Sequence, residues 1–218
     1  MTLAFDFDSP LPVAVIGAGP VGLAAAAQLL AQGEEPLIFE AGDTVGTGVL
    51  GWGHVRLVSP WRYVVDAAAR KLLTASGSWT EPDGEHSPSV REFVQIYLEP
   101  LAALPAMRSR LRLNSRVLQV TRAGIDKLKD AGRADAPFVL TVQRADGGEE
   151  TILARAVIDA SGTTSTPNPL GAAGVPAIGE RQVRDRIFSG IPDVLGTERA
   201  RYTGKRVLVV GSGHSAFN

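Results

Sequence analysis

The 218-residue sequence has no cysteine, which excludes disulfides, thiolate metal sites and thiol-based redox or nucleophilic chemistry from it. It has no excess of charge either: 22 lysines and arginines face 23 aspartates and glutamates, for a formal net charge of −1. The basic residues are scattered, so nothing holds a phosphate backbone or an anionic membrane surface, and neither nucleic acid nor membrane is an expected partner. Histidine is scarce. His54, His86 and His214 stand far apart with no carboxylate at ligand spacing, so no metal site is expected. The apolar run from Leu11 to Ala31 is interrupted by Pro12, Gly17, Gly19, Pro20 and Gly22 and cannot be a spanning helix. The acidic start, Met1 to Asp8, lacks the basic segment of a signal peptide, and the expected location is cytoplasmic.

Against these absences, 44% of the residues are hydrophobic and 21% charged, a composition that supports a packed core. Val13 to Ile16 is a short apolar run ending in glycine, the pattern of a strand buried on both faces. Pro20 opens a helix rich in Ala and Leu over Val21 to Ala31, ending at Gly33, and Pro36 to Glu40 reads as a second strand. Strand, glycine turn, helix and strand make a right-handed βαβ unit. Ala41 to Pro60 is glycine-rich and aperiodic, a loop running over a ligand, and Arg62 to Ala75 is expected as one helix. Ser89-Val90-Arg91-Glu92 is a capping box, followed by Phe93, Val94, Tyr97, Leu98 and Leu101 at helical spacing up to Leu104-Pro105.

The middle of the chain is strand-like over Leu111–Thr121, Phe138–Arg144 and Glu149–Ile158, with Asp146-Gly147-Gly148 as a hairpin turn. Asp126 to Asp135 is a solvated charged loop, and Ala156 to Ala160 returns to a buried strand of the parallel type. Thr163 to Gly179 is a Pro/Gly-rich connector. Trp61 and Tyr63 read as core residues.

Two segments carry the chemistry. In Gly17-Ala18-Gly19-Pro20-Val21-Gly22 the first glycine permits the tight turn, the second lets a diphosphate reach the backbone, and the third lets helix pack on strand. The helix offers free N–H groups and its positive dipole end to the phosphates. Glu40 ends the next strand, where a carboxylate accepts hydrogen bonds from a ribose diol and repels a 2′-phosphate, so the first ligand is FAD or NAD rather than NADP. Arg206-Val207-Leu208-Val209-Val210-Gly211-Ser212-Gly213-His214-Ser215-Ala216 repeats the pattern, with Ala216 in the third position. Two such units imply two dinucleotides, between which a hydride passes. Gly213-His214-Ser215 also has the start of a hydrolase nucleophile elbow, but Phe217 stands where that motif needs glycine, and no Asp/His partners follow.

These fingerprints, with Glu40 and Val157-Ile158-Asp159-Ala160-Ser161-Gly162-Thr163, resemble the two-dinucleotide flavoprotein superfamily, nearest to the flavin-containing monooxygenases and their bacterial relatives. Thr166-Pro167-Asn168-Pro169, Phe188-Ser189-Gly190 and Tyr202 to Arg206 resemble that branch's approach to the second fingerprint. The resemblance implies an α/β fold: a three-layer, Rossmann-type FAD-binding domain over residues 1–165, with a β-meander at about 111–155. Residues 166–218 would be a connector and the start of a second Rossmann domain for NAD(P)H. It places Gly17, Gly19, Pro20, Val21, Gly22, Glu40, Ala41, Trp52, Val117, Ser161 and Gly162 around FAD, with Val117 meeting adenine through its backbone. It places Gly211, Ser212, Gly213, His214, Ser215 and Ala216 around the nicotinamide cofactor. No catalytic side chain is implied, because the flavin supplies the chemistry; the partners are a small-molecule substrate and oxygen.

The sequence departs from the monooxygenase pattern in two places. Arg186 to Gly190 lacks the histidine usual before the second fingerprint, and Val58 stands where an asparagine near the flavin is usual. Gly46-Thr47-Gly48 before Trp52 also fits the "GGxW" stretch poorly. The disulfide reductases of the same superfamily need a redox cysteine pair, and the chain has none. Two other readings remain: an FAD-binding module without turnover, and an NAD-dependent dehydrogenase using only the first site. The expected chain is the front portion of a longer protein, inactive by itself because its second fingerprint has almost no helix behind it.

Overall fold

The computed structural model describes residues 10–164 and 166–217. The acidic start at Met1–Asp8, and Ser165 within the expected connector, lie outside them. Strands β1 (Val13–Ile16), β2 (Pro36–Phe39), β3 (Leu111–Arg112) and β7 (Ala156–Asp159) form a parallel sheet in the order β3-β2-β1-β7. Strands β4 (Arg116–Arg122), β5 (Phe138–Gln143) and β6 (Glu149–Ala154) form a separate antiparallel meander. Helix α1 (Pro20–Ala31) crosses from β1 to β2 and buries Gly22, Leu23, Ala26 and Ala27.

The period-two alternation of strand side chains explains the three layers. On one sheet face Val15 and Ile38 join Leu23, Leu73, Phe93, Val94, Tyr97 and Leu98 from the helices. On the other, Ala14 and Phe39 join Leu140, Val142 and Ala154 from the meander, with Val117 and Val157 packed against them. Both faces of β1 and β2 are covered, which is why those strands read as unbroken apolar runs. β7 forms an edge, so Val157 and Ile158 are half-buried rather than buried as expected.

Several elements differ from the sequence reading. The stretch at Leu111–Thr121 is two strands: β3 pairs parallel to β2, and β4 belongs to the meander. Asn114 lies between them with φ 50°, a left-handed conformation that asparagine tolerates better than most residues. Likewise Glu149–Ile158 divides into β6 and β7. The expected helix at Arg62–Ala75 is broken into Trp61–Val64 and Ala67–Ala75 because Asp66 is an N-cap, accepting from Ala68 N–H at 2.8 Å and Ala69 N–H at 3.0 Å. Trp61 is buried against Phe93, but Tyr63 is 70% exposed, since the short turn that carries it presents it to solvent.

The capping box at Ser89–Glu92 is formed, and the helix it starts runs through a π-helical segment, Val94–Leu98, into Glu99–Ala103. Pro100 has no N–H for the Ile96 carbonyl one turn back, and the Trp79 indole N–H donates to that carbonyl at 2.7 Å. Val207–Val210, expected as a strand, forms none; Leu208 is 85% exposed. A strand of this type is stable only between neighbours that cover both faces, and no described residue pairs with it.

Asp66 gives a stability prediction. Burial raises the pKa of its carboxyl, but hydrogen bonds from Ala69 N–H, Gln28 and Ala68 N–H outweigh that and hold it below the usual aspartate value. A depressed folded-state pKa stabilises fully above the unfolded value, and the benefit is lost as pH falls through the folded one. Asp66→Ala should therefore cost about 1 kcal/mol at neutral pH. In urea denaturation repeated at decreasing pH, the gap to the wild type should close below about pH 4.

Candidate dinucleotide-binding site

Three parallel strands deliver the site. β1, β2 and β7 are in register, with Ile16 opposite both Phe39 and Asp159, so Gly17, Glu40 and Ala160 leave the carboxyl edge of the sheet side by side. That edge is where open α/β sheets bind ligands.

The glycine elbow is locked by its own backbone. Gly17 has φ +97°, and its N–H donates to Phe39 O at 2.7 Å; a Cβ there would meet Ala160 O at 2.5 Å. At Gly22 a Cβ would lie 1.9 Å from Gly17 O, so helix and turn touch directly. At Gly19 a Cβ meets nothing within 4 Å. The first and third glycines thus serve packing, and the second opens onto free space before the helix. The start of α1 has no side-chain cap and no acidic residue in its first turn. Its first-turn N–H groups thus carry no side-chain cap, which suits a diphosphate.

Glu40 is only 9% exposed, and its carboxylate accepts from Ala18 N–H at 2.8 Å and from Gly42 N–H at 2.9 Å. Two lone-pair positions remain for a ribose diol. Ala41 is exposed beside it. Asn114 N–H donates to Gly42 O at 2.8 Å and Ser115 N–H to Glu40 O at 2.8 Å. These bonds bring the start of β4 alongside the end of β2. A bulge follows Val117, where the register shifts between Val117 and Gln119.

On the other flank, Asp159 accepts from the Ser161 N–H at 3.0 Å and hydroxyl at 2.7 Å. These two bonds, the hydroxyl's first, hold the Asp159 carboxyl below the usual aspartate range. Ser161 and Gly162 are thereby presented next to the elbow. Gly46 N–H donates to Ala18 O at 3.0 Å, which fixes the glycine-rich loop over the turn. Trp52 lies further along that loop, half-buried.

The elbow, Glu40, Ala41, Ser161 and Gly162 are brought together; Val117 stands near the start of β4, its side chain half-buried against the core between sheet and meander. The second fingerprint is not built into a site of this kind. Gly211 to Ser215 are exposed, and His214–Ala216 form a single 3-10 turn with no paired strand before it. The sequence reading missed Ala18 and Gly42 as partners of Glu40. The available signal was a carboxylate at a strand end followed two residues on by glycine.

No curated protein matches the chain. Among solved structures, it is similar to OTEMO in complex with FAD and NADP, with 25% identity and a TM-score of 0.51 over 84% of this chain and 30% of that one. It shares its fold with bacillithiol disulfide reductase Bdr from Bacillus cereus: 22% identity, TM-score 0.54, 75% of this chain and 43% of that one. The same holds for a polycyclic ketone monooxygenase from the thermophilic fungus Thermothelomyces thermophila: 20% identity, TM-score 0.51, 74% of this chain and 24% of that one. The chain thus spans less than half the length of each. At these identities the reductase and the ketone monooxygenase inform the fold alone. The family model described as FAD dependent oxidoreductase matches residues 12–178, from the first strand through the meander to the connector. The chain belongs to the FAD dependent oxidoreductase family.

Proposed function

We propose that the chain is the FAD-binding portion of an NAD(P)H-using, monooxygenase-like oxidoreductase acting in the cytoplasm on a small-molecule substrate with oxygen. The observation that carries the first part is the open approach at Gly19 to an uncapped helix start, flanked by the buried carboxylate of Glu40. The likeness to OTEMO bound to FAD and NADP supports the second.

Bound FAD would supply the redox chemistry between NAD(P)H and oxygen. The chain's residues bind and orient. The N–H groups at the start of α1 receive the diphosphate, Glu40 the adenosine ribose, and the Val117 backbone the adenine. Ser161 and Gly162 would lie beside the bound cofactor, and the loop through Trp52 would help to exclude water. Gly211 to Ala216 belong to the NAD(P)H site, and the division between the two domains falls near residue 165. No helix among the described residues is long and apolar enough to cross a membrane.

A second reading, an FAD-binding module without turnover, is favoured by the exposure of Val207–Val210 before the second fingerprint. Steady-state oxidation of NADH and NADPH separates the two. The FAD-loaded full-length protein should consume reduced nicotinamide with matching oxygen uptake, while the 218-residue chain should bind FAD and consume little. A full-length protein that holds FAD and consumes neither nicotinamide contradicts the oxidoreductase assignment.

A further inference from the structure

We infer that Glu40 is a positioning residue that sets the diphosphate elbow through the backbone, beyond the ribose contact proposed for it. The carboxylate reaches across from the end of β2 and receives the N–H of Ala18, the residue between the first two glycines, at 2.8 Å. Its other oxygen receives Gly42 N–H at 2.9 Å. The Ala18 carbonyl is held by Gly46 N–H at 3.0 Å, and Ala18 is fully buried. Ala18 is therefore pinned at its N–H by Glu40 and at its carbonyl by the loop that Glu40 also anchors, through Gly42. Both bonds go to a carboxylate, and the one from Ala18 is buried, the setting in which such bonds are strongest.

Glutamine is the informative replacement. It keeps the shape but has one acceptor oxygen and one NH2 donor. Whichever way the amide turns, one of the two backbone N–H groups faces a donor and loses its partner. A ribose diol, whose hydroxyls both donate and accept, can adapt to an amide; the two backbone N–H groups cannot.

The inference rests on the FAD reading for its functional consequence but not for the clamp itself, and two measurements keep them apart. Amide hydrogen exchange in the chain without FAD reports the clamp. The Gly42 and Ala18 amides should be protected in the wild type, and at least one should exchange about tenfold faster in Glu40→Gln. Asp66→Ala, which lowers overall stability away from the elbow, should accelerate Gly42 by less than Glu40→Gln does. A wild-type Gly42 amide exchanging as fast as open loop amides, or unchanged in Glu40→Gln, overturns the inference, and the wild-type result stands even should the variant fail to fold.

Binding of an FAD analogue lacking the 2′ and 3′ hydroxyls of the adenosine ribose reports the consequence. Glu40→Gln should weaken the analogue about tenfold, as it weakens FAD. A residue that served the ribose alone would leave the analogue's affinity unchanged, and that result overturns the functional part. Failure of the wild type to bind either ligand sinks the FAD reading instead, and the exchange result alone then decides the clamp.

Discussion

Gly22→Ala should cost the chain about 3 kcal/mol or more, seen as a fall of about 10 °C in its thermal midpoint. The new Cβ would sit 1.9 Å from Gly17 O and 3.0 Å from Gly17 C, both backbone atoms. Gly17 cannot step aside, because its N–H is bonded to Phe39 O at 2.7 Å and its space is closed by Ala160 O. Relief requires α1 to lift off the sheet, which would loosen Leu23, Ala26 and Ala27 from a core they fully share. For a domain with a total stability of about 5–15 kcal/mol, the loss is a large fraction. A variant that melts with the wild type would show that helix and turn are not in contact.

Gly19→Val should do the opposite: leave the midpoint within about 2 °C of the wild type while weakening FAD by about a hundredfold or more. Gly19 has φ −79° and ψ −172°, an extended conformation any residue adopts. Its Cβ would meet no protein atom within 4 Å, so the fold is indifferent to it. The branched side chain instead fills the approach to the free N–H groups of α1, and a diphosphate kept from them loses at least one charge-assisted hydrogen bond and its favourable dipole. Isothermal titration with FAD, paired with a thermal melt of the same samples, checks both halves. Two glycines three positions apart thus separate folding from binding.

The site was legible where its determinants are local. Apolar runs ending in glycine, a proline at the first helical turn and a carboxylate closing the second strand are written within residues 13–40, and the parallel pairing of β1 and β2 follows from them. What was illegible depends on partners distant in the chain. Nothing near Leu111 says that it pairs with Ile38, and only Asn114 hints that the strand must change sheets there. Before Pro100 the Ile96 carbonyl is satisfied by the Trp79 indole, a contact seventeen residues apart that periodicity does not encode. Asp66 was hidden inside an Ala-rich helical pattern, although an acidic residue before Ala67-Ala68-Ala69 is a cap in the right place. Val207–Val210 show the reverse case: a strand pattern whose pairing partners are not among the described residues.

The central claim is that the elbow at Gly17–Gly22, with Glu40, holds FAD. Equilibrium dialysis of the purified chain against FAD, in competition with excess NAD, tests it directly. The account predicts one FAD retained per chain, its yellow colour undisplaced by NAD and absent from Gly19→Val. A wild-type chain that retains no flavin, or surrenders it to NAD, would contradict it.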